Sequence, residues 1–154
     1  MIIGQGKVKM DPKKLDTIQS WNSPTSVKAI QSFTGFANFY QKFIPNFSNI
    51  IAPFNLLTRK HEPWVWTRLQ QNAFEILKQI FSSTPVLLIP DFTRPFTVMT
   101  DASLLAAGAI LMQTDDNGDH HPCAYFSKTF TLAERNYDIY DQELLAVILA
   151  LDEW

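Results

Sequence analysis

Only one of the 154 residues is a cysteine. Cys123 therefore has no partner for an internal disulfide, and a single thiol argues against a structural zinc site. No apolar run approaches the roughly 18 residues that a membrane-spanning helix requires. The opening stretch, MIIGQGKVKM, is basic but lacks the apolar segment of a signal peptide. A soluble chain inside the cell, with no membrane partner, is the expectation; cytoplasm and nucleus stay open. Charged residues make up 18% and hydrophobic residues 46%. That balance excludes a disordered tail and leaves material for one sizeable core or two small ones.

The charge that is present is unevenly spread. Residues 1–68 hold nine Lys/Arg against three Asp/Glu, and residues 69–154 four against twelve, so balances of +6 and −8 lie behind the net −2. Two units with different partners are implied. The first can face a phosphate backbone. The second repels one unless cations intervene.

Ile2-Ile3, Gly4-Gln5-Gly6, Val8 and Met10 predict a small hairpin, which needs a further sheet partner because one hairpin does not hold itself together. Asp11-Pro12 opens a short helix with Leu15, Ile18 and Trp21 on one face. Ser23-Pro24 reads as a second start, followed by Val27, Ile30, Phe33, Thr34, Ala37 and Tyr40 at helical spacing. Gly35, inside this pattern, calls for a close backbone approach. Phe33, Phe36, Phe39, Tyr40, Phe43 and Phe47 read mostly as helix-packing core. A short helix is expected over 50–57, and a polar boundary follows at 58–63. The next helix starts near Thr67 with Leu69, Ala73, Phe74, Leu77, Ile80 and Phe81 inward, and Thr84-Pro85 ends it.

From Phe96 the hydrophobic period changes to two. Strands are expected at 96–101, 106–113 and 122–128, paired antiparallel as a meander. Thr131 to Glu134 has capping-box spacing and predicts a helix over 132–153, with a stripe of Tyr137, Tyr140, Leu144, Val147, Ile148 and Leu151. Three strands under one helix leave much of a sheet exposed, a poor arrangement for a free-standing domain.

Two carboxylates carry the chemistry. Asp101 ends the first strand of the meander and Glu143 lies on the long helix. Taken singly, one is a turn residue and the other a solvated helix position; paired, they offer the oxygen ligands that hard divalent cations prefer. Asp115, Asp116 and Asp119 lack calcium-loop spacing and read as a solvated hairpin tip. His61, His120 and His121 give no ligand signal. Asp138, Asp141, Asp152 and Glu153 read as solvated surface.

The stretches around these residues form a pattern. Thr100-Asp101-Ala102-Ser103, Gly108 to Gln113, Tyr125-Phe126-Ser127-Lys128, Glu134-Arg135-Asn136-Tyr137 and Glu143-Leu144-Leu145-Ala146 resemble the opening half of the RNase H domain of gypsy-like retrotransposons. Pro85-Val86-Leu87 and Pro90-Asp91 resemble its lead-in. Met10 to Lys14, Phe33 to Tyr40 and Lys42-Phe43-Ile44 resemble a reverse-transcriptase thumb. Thr34 stands where the family usually has leucine, and Gln41-Lys42 where a more basic pair is usual. In collinear order the chain thus resembles a piece of a Ty3/gypsy-type long-terminal-repeat retrotransposon pol polyprotein.

The resemblance implies an α+β fold: a palm hairpin remnant at 1–10, a helical thumb at 11–60, a connection and lead-in helix at 61–95, and the N-terminal half of an RNase H-like domain at 96–154. It implies that Asp101 and Glu143 are catalytic and metal-binding, face each other, and serve Mg²⁺ or Mn²⁺ in the intact domain, with weak or absent binding here because the family's other two acidic positions come later. It also implies that Lys13, Lys14, Lys28, Gly35, Asn38, Lys42, Arg59 and Lys60 track an RNA–DNA hybrid or template–primer duplex. The missing palm and fingers and the second half of the RNase H domain are the implied protein partners. No adjacent aspartate pair precedes the thumb, so RNA-directed DNA synthesis belongs to a longer parent, which also hydrolyses the RNA strand of hybrids. The competing expectation is an inactive nucleic-acid-binding remnant, or a domesticated or pseudogene-like product.

Overall fold

The computed structural model describes residues 1–83 and 86–154. The helix end expected at Thr84-Pro85, and Pro85 of the lead-in stretch, lie outside the described residues.

Strands β1 (Ile2–Gly4) and β2 (Lys7–Lys9) form the expected hairpin. Its turn residues Gln5 and Gly6 both have positive φ, 52° and 70°, the backbone that a two-residue hairpin turn requires. The sheet partner is not elsewhere: β3 (Val86–Leu88) pairs antiparallel with β2, giving the order β1-β2-β3. Between β2 and β3 run four helices. α1 (Pro12–Gln19) is capped by Asp11, whose side chain accepts from Lys13 N. α2 (Val27–Phe39) starts at Ser26 and not at Ser23-Pro24, because the Ser26 hydroxyl accepts from Ala29 N at 3.2 Å. After a 3-10 turn at Gln41–Phe43, α3 (Phe47–Leu57) begins earlier than the sequence pattern predicts and accommodates Pro53. α4 is Arg68–Ser82.

These helices share one aromatic core. Phe33, Phe43, Phe54, Phe81, Ile18, Ile30, Ile44 and Leu77 are fully buried. Phe33 lies 4.7 Å from the Phe74 ring and edge-on to Trp21 at 5.4 Å, and Phe54 stacks on Trp66. The 61–95 segment supplies α4 and β3 to this core. Leu69 departs from the expected inward face: it is 56% exposed, and Gln70 is buried in its place. Gln70 is held there by a capping box with Thr67 and by its amide donating to the Pro53 carbonyl at 3.2 Å. Thr67→Ala is expected to cost about 1 kcal/mol of stability. A urea melt that does not move would show that the box contributes nothing.

The second sheet is the expected antiparallel meander: β4 (Thr97–Ala102), β5 (Ala106–Thr114) and β6 (His120–Thr129), in the order β4-β5-β6. A register shift beside Leu111/Met112 interrupts the β5–β6 pairing. α3 and the 41–43 turn pack against β6, while α5 (Ile139–Glu153) packs on β4 and β5. The sheet is therefore a middle layer between the helical unit and α5.

Two expectations fail around α5. The Thr131–Glu134 box forms, with Thr131 N donating to Glu134 Oε2 at 2.6 Å, but it opens only a 3-10 turn at Glu134–Asn136. The long helix starts instead at Asp138, whose side chain accepts from Asp141 N. The predicted inward stripe also faces outward, with Tyr140 82% and Leu151 64% exposed, and Gln142, Ala146 and Ala150 buried. The reason is steric. The sheet presents Ala102 and Ala107 here, and small residues let helix and sheet approach closely, so alanine and not leucine fills the contact.

Candidate nucleic-acid interface and carboxylate site

α2 buries Ile30, Phe33 and Ala37 on one side. On the other, Lys28, Gln31, Gly35 and Asn38 recur at spacings of three and four, which places them on one helix face, all exposed. Lys42 follows at the same spacing in the 3-10 turn, its Nζ 5.9 Å from the centre of the Phe43 ring. Among the described residues, a Cβ on Gly35 would meet nothing within 4 Å, so none of them makes the close approach that its glycine calls for. Phe39 belongs to this face as well. It is 64% exposed, which corrects its assignment to the core. Its position four residues after Gly35, on the polar side, was the available signal.

Lys13 and Lys14 are exposed on α1, and Arg59 and Lys60 are exposed after α3. Among the described residues the ion pairs are Arg94 with Asp91 and Asp116, and His121 with Asp115. None of the six basic residues named for nucleic acid is in one. Their charge is free for an external anion.

Asp101 is exposed on β4, an edge strand of its sheet, and pairs with Gly108 of β5. Strand alternation puts Asp101 and Gly108 on one face and Ala102 and Ala107 on the other. Ala102 and Ala107 pack into the cluster with Ala146 of α5, so Asp101 is turned away from α5. Glu143 is half-buried on α5, three residues before Ala146. Both carboxylates thus lie near the same end of β4, but on opposite faces of the sheet and not face to face as expected. Among the described residues, no group of three or more His, Cys, Asp or Glu is placed to hold a metal ion.

Neighbouring polar residues are occupied with structure. The Ser103 hydroxyl accepts from Ala106 N at 3.1 Å and reaches Asn49 Oδ1 at 3.1 Å, a turn cap that also ties β4 to α3. Asp115 closes the hairpin tip by accepting from Asn117 N and Asp119 N, and it contacts His121 Nε2 at 2.9 Å. Those bonds hold its carboxyl below the usual carboxylate range, the His121 contact first. Two buried amides carry no sequence signal. Gln113 clamps the backbone of Asp91 and Arg94, and Gln142 donates to the carbonyls of Glu134 and Arg135.

Residues 66–154 match the family model described as "RNase H-like domain found in reverse transcriptase". The chain is similar to the Transposon Tf2-3 and Tf2-4 polyproteins of Schizosaccharomyces pombe, with 37% identity over 142 residues, 92% of this chain and 11% of each relative. It is also similar to solved foamy viral protease-reverse transcriptases, one lettered dRH and in complex with ds DNA, another in complex with RNA/DNA hybrid. Each has a TM-score of 0.78 and 28% identity over 94% of this chain, covering 25% and 20% of the respective neighbours.

Proposed function

The chain belongs to the family of RNase H-like domains found in reverse transcriptases, as a reverse transcriptase/RNase H-like stretch of a retrotransposon polyprotein, and we propose that it grips a nucleic-acid duplex within a longer parent enzyme. That parent performs RNA-directed DNA synthesis and hydrolyses the RNA strand of RNA–DNA hybrids. The exposed α2 face of Lys28, Gly35, Asn38, Phe39 and Lys42 carries this reading, because its charge is uncompensated and its glycine leaves room for a backbone that none of the described residues supplies. The foamy viral neighbours, described in complex with ds DNA and with RNA/DNA hybrid, support a duplex as the ligand. Lys13, Lys14, Arg59 and Lys60 add sequence-independent attraction for phosphate.

The family's hydrolysis depends on a divalent metal. When bound, such an ion supplies a water activated for attack on the phosphodiester. Asp101 and Glu143 fit Mg²⁺ or Mn²⁺ in kind, as hard oxygen donors, but not in number. An ion held by them would take its remaining ligands from the parent. Their placement on opposite faces favours a second reading for these 154 residues alone: a piece that binds duplex and does not cut it.

The test is fluorescence anisotropy of the full chain on a labelled duplex across a salt series. Log affinity should fall linearly with log salt, by a slope of about −0.9 for each phosphate neutralised. Replacing Lys28 and Lys42 together by Ala should flatten that slope by roughly 2. Affinity that stays constant from low to high salt would overturn the electrostatic grip.

A further inference from the structure

We propose that Gln113 is a positioning residue: its buried carboxamide grips the crossover between the two sheets and so fixes the angle at which the meander meets the helical unit. The functional consequence rests on the duplex reading above, because that angle decides where along a duplex held on α2 the strand and helix carrying Asp101 and Glu143 arrive. Topology creates the need for such a grip. β3 belongs to the first sheet but lies beside β6 of the second. The next strand, β4, is on the far side of β5. Residues 89–96 therefore cross the ends of two strands, and a crossing segment carries backbone N–H and C=O groups that no ladder satisfies.

Gln113 satisfies them from the middle strand. Its Oε1 accepts from Asp91 N at 2.8 Å, and its Nε2 donates to the Asp91 carbonyl at 2.7 Å and to the Arg94 carbonyl at 3.3 Å. A primary amide can accept and donate at once from one rigid plane, and this one is only 1% exposed. At the start of the crossover, Ile89 N donates to the Gly6 carbonyl at 2.8 Å. One short segment is thus bonded to the hairpin of the first sheet and to the central strand of the second.

The seam has a second fixed point. The units keep separate cores, one around Phe33 and one of Ala107, Phe130 and Ala146, with Tyr125 of β6 packed against the first. Near Asp101, Ser48 N donates to the Ser127 hydroxyl at 3.0 Å and the Ser103 hydroxyl donates to Asn49 Oδ1 at 3.1 Å. There the Asn46 carboxamide lies so close to Gly108 that a Cβ would stand 2.7 Å from its Oδ1. Gly108 and Gln113 are both on β5, roughly 16 Å apart at the usual strand rise and on opposite faces. The sheet is held from both sides at two separated points. Without the Gln113 bonds it can pivot about the α3 end. The Arg94 ion pairs with Asp91 and Asp116 are close by, but they are solvent-exposed and such pairs hold little.

The experiment reads the angle as a distance in the full chain. Nitroxide labels go on Gln31→Cys of α2 and Asn117→Cys at the β5–β6 hairpin tip, both exposed, with the native Cys123 changed to Ala. Double electron–electron resonance should give one narrow distance peak. Gln113→Ala should broaden it about twofold, and so should Gln113→Met, which keeps the bulk and removes every polar atom. Circular dichroism and the fluorescence of Trp21, Trp64 and Trp66 in the helical unit should not change. Arg94→Ala should leave the width as it is. Equal widths in wild type and both Gln113 variants would overturn the positioning role, as would equal broadening by Arg94→Ala. Loss of the β-sheet signal in both Gln113 variants would overturn it too, because the amide would then be holding the sheet and not the joint. Duplex binding by the unlabelled chain, followed across a salt series, separates the two readings: its absence would remove the duplex and leave the joint standing.

Discussion

Asp101→Asn, made in the parent enzyme that continues past Trp154, is expected to cut metal-dependent cleavage of the RNA strand by more than about a hundredfold, and Glu143→Gln to do likewise. Each change keeps side-chain size and removes the anionic oxygen a divalent ion needs, so folding and duplex affinity should persist. The 154-residue chain itself should show negligible cleavage with Mg²⁺ or Mn²⁺, because two carboxylates on opposite faces of a sheet leave most coordination positions to water. A labelled RNA strand annealed to DNA and resolved on a gel measures both. If the two long variants cleave at full rate, other carboxylates carry the reaction.

Phe33→Ala should have the largest effect on stability. Its ring is fully buried and in contact with Trp21, Phe54 and Phe74, drawn from the α1–α2 connection, α3 and α4. Truncating a buried phenylalanine costs about 3–5 kcal/mol, a large share of the roughly 5–15 kcal/mol that holds a domain folded. α3 also walls one face of the second sheet through Ser48 and Asn49, so loosening α3 should reach β6 as well. Urea titration followed by tryptophan fluorescence gives the magnitude. A loss below about 1 kcal/mol would mean that the aromatic cluster repacks around the gap.

Much of this architecture can be read along the chain wherever the signal is local. Asp11-Pro12 and Thr67 mark helix starts because a capping side chain acts within three residues, and the period-two pattern after Phe96 finds the meander because each strand pairs with its neighbour in sequence. The readings that fail depend on distant partners. β2 finds β3 across four helices, and nothing near Val86 announces it. α5 is apolar nearly all round, so only the alanines beneath it decide which face turns in. At the site, the residue types of Asp101 and Glu143 are legible, but which side of the sheet each takes is not. Asn46 and Gly108 lie far apart in sequence and are linked by one close contact, invisible until the helical unit is docked.

The β2–β3 pairing also dictates an order of events during synthesis. The hairpin is made before the strand that supports it, which follows only after α1 to α4, a delay of roughly 4–15 s at ordinary elongation rates. Through that interval β2 has one unsatisfied edge, and two-stranded hairpins are marginal in water. Nascent chains crowded on one message would then hold matching free edges side by side. Vectorial production therefore leaves the edge of β2 open longer than that of β5, whose partner β6 follows directly in the chain.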